Sequence, residues 1–139
     1  MDATVERLPD YPALLTTFTG MVTVSTVRQA IAEAVKLMPA VAADYPGQPI
    51  FQVMDTRQAT SNFTEIFGIL RGNVMDEREA AASAYDVRPV FLGTDGMARL
   101  YIDSLALSQY GGRRVPLFKD LNDALEYIRA ELADVRKPE

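Results

Sequence analysis

Short runs of β-branched and aromatic residues alternate along this chain with stretches in which apolar residues recur at helical spacing. The strongest run is Pro49 to Asp55, PIFQVMD, apolar almost without interruption, as expected of a strand covered on both faces. Before it, Thr4 to Leu8 is a weak strand, Pro9-Asp10-Tyr11-Pro12 a turn, and Ala13 to Val22 a longer strand, with Gly20 marking a bulge or a close backbone approach. These predict an N-terminal hairpin. Thr23, Ser25 and Thr26 are alternative N-caps, Thr26 with Gln29 matching a capping box. Val27, Ile31, Ala34, Val35 and Met38 then share one helical face until Pro39, where a break or kink is expected.

The second half repeats the alternation. Asn62 and Glu65 form another capping box, opening a helix to Arg71 whose stripe is Phe63, Ile66, Phe67 and Leu70; Gly72-Asn73 should stop it. An alanine-rich helical piece spans Asp76 to about Tyr85, and Arg88 to Gly93 is the next strand. Thr94 or Asp95 caps a helix predicted to reach about Gln109, ended by Gly111-Gly112. Its apolar residues spread around more than one face, which predicts a second buried surface or self-association through Met97 to Gln109. Val115 to Phe118 is the last strand. Asp120 caps a final helix with the cleanest stripe in the chain, Leu121, Ala124, Leu125, Ile128 and Leu132, and Arg136 to Glu139 reads as a frayed tail. The order β-β-α-β-α-β-α-β-α predicts an α/β fold with a single mixed, mostly parallel sheet, in one domain spanning 1–139.

Composition narrows the chemistry. The 139 residues, 48% hydrophobic and 24% charged, suit one globular body. A net charge of −5 disfavours nucleic acid and anionic membranes as general partners. Neither cysteine nor histidine occurs, so thiol chemistry, disulfides, Cys/His metal sites and His-dependent triads are excluded. No metal or cofactor is expected. The segment MDATVERLPD has no signal-peptide core, and no apolar run approaches the length that crosses a bilayer, so a soluble cytoplasmic protein without membrane insertion is expected.

Candidate functional residues gather where predicted strands run into helices. Asp55 ends its strand where open parallel sheets place ligands; its plainer use is to cap the next turn or pair with Arg57. Ser61 and Thr64 carry hydroxyls at a helix N-terminus, where an added phosphate would meet free amides, although N-capping is the simpler role. Thr94, Asp95 and Gly96 form a second such turn, a ligand cradle or an ordinary cap. Arg113-Arg114 would suit an acidic partner or a solvated turn. Tyr101, Tyr110 and Met97 would border an apolar pocket or fill the core. Asp55 and Asp95 would serve as acid and base only with separated pKa values and a cleft, and neutral-pH chemistry without histidine ranks last among the functions.

Three features of this layout resemble the SpoIIAA-like fold of STAS domains (sulfate transporter and anti-sigma-factor antagonist). They are Phe18-Thr19-Gly20-Met21-Val22-Thr23 entering the first helix, Val53-Met54-Asp55 followed by Thr60 and a helix, and Val90-Phe91-Leu92-Gly93 with a helix and then Val115 to Leu125. The resemblance spans almost the whole chain. It implies a non-enzymatic regulatory module that presents the Asp55 to Glu65 turn, with Asp55, Ser61, Thr64 and Glu65, to a protein partner such as a kinase-like or other sigma-factor pathway protein. In anti-sigma-factor antagonists that turn is rich in serine and contains glycine. Here Ser61-Asn62-Phe63-Thr64-Glu65 lacks the paired serines and the following glycine, and Thr64 lies nearest the phosphorylated position. The wider group also resembles CRAL-TRIO lipid-binding domains, implying as the alternative a small-molecule or lipid carrier with a pocket near Phe63, Phe67, Tyr101 and Leu105.

Overall fold

The computed structural model describes residues 3–72 and 74–136. Strands β1 (Ala3–Arg7) and β2 (Ala13–Met21) form the expected hairpin, antiparallel from Ala3↔Phe18 to Arg7↔Leu14. Its turn is closed by Leu8 N–H donating to Ala13 O at 3.0 Å, and Asp10 takes φ +70°, a left-handed conformation that aspartate tolerates. Strands β3 (Ile50–Thr60), β4 (Val87–Leu92) and β5 (Leu117–Phe118) add in parallel, in the spatial order β1-β2-β3-β4-β5. The α/β fold with a mixed, mostly parallel sheet is as the sequence predicts.

Because each parallel strand is laid down beside its predecessor in one direction, right-handed crossovers put their helices on one face. Helices α1 (Val24–Asp44), α2 (Phe63–Arg71), α3 (Val74–Ala81) and α4 (Gly96–Leu105) cover that face, packing on Phe18, Met54 and Phe91 and, toward the other end, on Leu14 and Ile50. The final helix α5 (Leu121–Arg136) lies on the opposite face, where Ala124, Ile128 and Leu132 meet Ala13, Phe51, Val53, Val90 and Leu92. Alternate residues of β3 therefore serve two cores, which is why its first half, Ile50 to Met54, is apolar but for Gln52.

Several boundaries differ from the sequence reading. Of the three alternative caps of α1 Thr23 is the one in use, accepting from Thr26 N at 3.2 Å, and Thr26, expected to open a capping box, lies inside the helix. The helix runs through Pro39 to Asp44 without a break. Met38 and Val41, both fully buried, bracket the proline, and tertiary packing outweighs the one lost backbone bond. Strand β3 extends five residues past Asp55, because Gln58, Ala59 and Thr60 pair with Thr19, Gly20 and Met21. Two residues, Thr56 and Arg57, face only Phe18 in that pairing: the bulge is on β3, not at Gly20. The alanine-rich piece is a separate helix that starts at Val74, and the stop at Gly72 is in place, while Asn73 lies outside the described residues. Helix α4 ends at Leu105, with only a 3-10 turn at Ser108–Tyr110 beyond it. Arg136 closes α5, and 137–139 of the expected tail also lie outside the described residues.

Candidate functional site

The predicted strand-to-helix turn from Asp55 to Glu65 is mostly strand: only Ser61 and Asn62 separate β3 from α2. Asp55 consequently sits inside the sheet, paired with Thr17 on one side and Leu92 on the other, and is 4% exposed. Its parity with Phe51 and Val53 turns it toward the α5 face. The bulge swings Arg57 back over it. Arg57 donates to Asp55 from its backbone N–H (3.0 Å), Nε (3.0 Å) and Nη2 (2.9 Å), closing a bidentate clasp. Burial alone would push the Asp55 carboxyl up, but the hydrogen bonds and charge of Arg57 prevail and hold it below its ordinary value. The pairing with Arg57, one of the two plain uses read from the sequence, is realised. Sequence reading placed Asp55 at a strand end because it could not see the bulge.

Asn62 caps α2, its Oδ1 accepting from Glu65 N at 2.9 Å, so the first half of the capping box is present. The two hydroxyl candidates diverge. Thr64 is exposed in the first turn, whereas Ser61 Oγ is buried without a hydrogen-bond partner and lines a cavity under the sheet's helical face. Of the expected stripe, Ile66 and Leu70 are buried and are joined by Ile69, whereas Phe63 is 59% exposed.

At the second turn, Asp95 is the cap of α4, accepting from Ala98 N at 2.8 Å, and Thr94 and Gly96 are exposed beside it. The glycine under constraint there is Gly93. A Cβ on it would lie 2.7 Å from Ala98 Cβ and 2.9 Å from Thr56 Oγ1, the latter tied to Leu92 O at 2.7 Å, while a Cβ on Gly96 meets open space. Gly93→Ala is therefore expected to cost about 1–3 kcal/mol through overpacking. Gly96→Ala should be neutral or mildly stabilising, and urea melts of the two variants check the contrast. Asp55 faces α5 and Asp95 borders the cavity on the other side of the sheet, so the two carboxylates do not meet as an acid–base pair.

That cavity has a volume of about 80 Å³ and is bounded by α1, β2, β3, α2 and α4 through Ile31, Phe18, Met54, Ile66 and Met97. Of the residues expected to border an apolar pocket, Tyr101 and Met97 line it; Phe63 and Phe67 do not, and Leu105 and Tyr110 line a neighbouring cleft. Burial pushes the Tyr101 phenol up to about 12, and its ring packs 5.7 Å from Phe91. Sequence reasoning missed Arg78, which reaches the same cavity from α3 and is 3% exposed. The signal was there: Met75, Arg78 and Ala82, all buried, fall at helical spacing among the acidic residues and alanines of the segment. The other arginine pair is half committed. Arg113 ties its loop to α3, donating to Glu79 at 2.7 and 3.1 Å and to Asp76, and these bonds hold Glu79 below its ordinary value. Only Arg114 is exposed. Among the described residues no cluster of three or more carboxylates is placed to hold a metal ion.

No family model matches the chain, and no curated protein does. Among solved structures, the anti-sigma factor antagonist SpoIIAA in its unphosphorylated form matches with a TM-score of 0.54 at 15% identity, over 91% of this chain and 97% of that one. An uncharacterised protein of the DUF3478 family with a SpoIIAA-like fold, from Shewanella loihica, matches at 0.49 with 16% identity over 91% of each chain. An anti-sigma factor antagonist from Mycobacterium paratuberculosis matches at 0.49 with 18% identity over 91% of this chain and 92% of that one. The chain has a SpoIIAA-like fold, carried by the likeness to SpoIIAA and by the sheet order and helix placement above.

Proposed function

We propose that this chain is a single-domain, non-enzymatic regulatory module of the STAS-like type, docking a protein partner on the rim where β2 and β3 end and α2 begins. One observation carries the reading. Met21, at the end of β2, is 42% exposed and pairs with Thr60, and three residues on Phe63 is 59% exposed, so two large apolar side chains flank the Ser61-Asn62 junction. Thr64 and Glu65 border them and give the patch a polar edge, as protein interfaces have. The SpoIIAA-like fold, shared with an anti-sigma factor antagonist, supports a partner from a sigma-factor pathway, of which a kinase-like anti-sigma factor is one form.

Thr64 is the better switch position of the two hydroxyls. A phosphate there would lie in the first turn of α2, favoured by the helix dipole, while placing two negative charges' worth of field between Phe63 and Glu65, against docking. Asp55 is assigned to holding the rim through Arg57 rather than to contact. Thr94, Asp95 and Gly96 form the neighbouring edge. Self-association through the α4 surface has less to offer than the sequence suggests, because Ile102 and Leu105 are buried within the chain and Leu107, 52% exposed, lies past the helix end. Among the described residues no helix is long and apolar enough to cross a membrane, and a cytoplasmic setting is part of the proposal.

Affinity capture from the source cell tests it, with wild type, Phe63→Ala and Thr64→Glu as baits. Phe63→Ala should keep the wild-type melting temperature, since its ring is mostly in water, and lose the partner by about tenfold or more in affinity, the range of an aromatic anchor. Thr64→Glu should lose it too. Three baits that retain the same partners with the same affinity would overturn the assignment of the rim.

A further inference from the structure

Arg78 is a cation placed where a cation is costly. Its side chain is 4% exposed, and among the described residues its one hydrogen bond is a neutral one, Nη1 to Gln52 Oε1 at 3.3 Å. Nε is enclosed without a partner, so Nη2, which also donates to nothing, is the atom through which the guanidinium keeps contact with solvent. Burial pulls its pKa down from the usual arginine value; Glu79 opposes the fall and the charge of Arg113 adds to it. Native interiors seldom leave a guanidinium so poorly matched unless something completes it.

Nη2 looks onto a second hollow, on the β4 side of the arginine. It stands 4.0 Å from Glu79 Oε1, and Nη1 is bonded to Gln52, whose neighbour across the sheet is Pro89. Glu79 and Pro89 both line a cleft of about 420 Å³, and neither they nor Gln52 border the apolar cavity under the sheet. The cleft is there because β5 is short. It pairs with Phe91 and Leu92 and leaves the earlier part of β4, from Val87, without a neighbouring strand on that edge. Its volume falls in the range of small-molecule sites, about 300–1,000 Å³.

The charges around the cleft are unevenly matched. Glu79 is held by Arg113 at 2.7 and 3.1 Å, and Asp86 by Arg88 at 3.1 Å. Arg114 lines the cleft, is exposed, and makes no ion pair among the described residues. Two cationic groups are thus left without anions, Arg78 enclosed at the floor and Arg114 on the open side. Tyr85, Val87, Pro89 and Val115 supply an apolar part of the lining. A guest that matches carries one anionic group for each arginine and a short hydrocarbon body between them.

We propose that this cleft binds a small dicarboxylate, one carboxylate on Arg78 Nη2 and the other on Arg114. It lies by the start of β4, at the opposite end of the sheet from the docking rim, and stands whether or not the rim takes a protein.

Glutarate is the probe, with glutaramate and glutaramide as controls of the same shape that lack one charge and both. Each is titrated into the full chain by calorimetry and by NMR. Glutarate should bind about tenfold or more tightly than glutaramide, the preference a charge-assisted hydrogen bond confers. It should also move the Arg78 Nε–H resonance, which glutaramide should not. Its advantage over glutaramate should be about two- to fivefold, the size of an exposed ion pair, and should vanish in Arg114→Gln, a surface change that leaves the fold alone. Arg78→Met should weaken glutarate by about tenfold or more, and it should fold, since an apolar side chain replaces an ill-paired buried charge. Equal affinities for glutarate and glutaramide, an unmoved Nε–H resonance, or an undiminished preference for glutarate over glutaramate in Arg114→Gln would each overturn the proposal, whether or not Arg78→Met folds. An unmoved resonance would mean that water in the cleft completes Arg78 instead.

Discussion

Phe51→Ala is expected to lower stability by about 3–5 kcal/mol, the cost of emptying an aromatic side chain's space in a core that cannot close around it. Phe51 is fully buried, and its ring lies between the sheet and Ala124, Ile128 and Leu132 of α5. That face has a single covering helix among the described residues, so no second element can slide in to fill the void. For an ordinary domain the loss is a large fraction of the total, about 5–15 kcal/mol. The melting temperature should fall by about 10 °C or more. Phe63→Ala is the internal control: the same residue type, twelve positions on, with its ring in solvent and no expected loss. A Phe51→Ala protein less than about 1 kcal/mol weaker in urea melts would show that α5 does not pack on this face.

Asp55→Ala should cost about 2–3 kcal/mol at neutral pH, because it removes the acceptor of three hydrogen bonds, two from a charged donor. The cost stays below that of stranding a fully buried charge, since the Arg57 side chain is 36% exposed and can turn to water. The effect has a pH signature. In the folded chain the Asp55 carboxyl is held below its ordinary value of 3.8, so between the two values the unfolded chain binds more protons. The clasp therefore contributes in full above the ordinary value and is lost as pH falls through the folded one. Wild type and Asp55→Ala should differ most at neutral pH and converge in acid. A difference that is unchanged in urea melts run at neutral pH and well below the ordinary carboxyl value would mean that the carboxylate's charge plays no part.

What the residues disclosed, and what they withheld, follows from the range of the forces involved. Local rules were readable: Asn62, Asp95 and Asp120 each cap the helix they precede, Asp120 accepting from Asp123 N at 2.9 Å. Period was readable where one face is buried, as in the α5 stripe, and where both are, as in Phe51 to Met54. The errors lie where long-range pairing decides. Arg57-Gln58-Ala59-Thr60 has no strand-like pattern of its own and is strand because β2 offers it an edge, with Val22 N–H donating to Thr60 O at 3.1 Å. Phe63 scored as core by spacing, but at the first position of a short helix beyond the sheet's end there is nothing above it to pack against. Pro39 was weighed by its missing amide alone, against packing that only the folded chain supplies. Of the site, the turn and its cap were legible; the inward Ser61 hydroxyl and the cavity were not, because both depend on which helices close over the sheet.

The extra residue at Thr56–Arg57 also restricts how chains of this kind can drift in length. Met54 and Ala59 face the same side although an odd number of steps separates them, because the inserted residue resets the strand's phase like an added tooth on a gear. Removing Arg57 would restore plain alternation and leave Gln58 outward and Ala59 inward, at the cost of the clasp on Asp55. A single loss beyond the bulge, at Gln58 or Ala59, has no such slack and would exchange the inward set for the outward one.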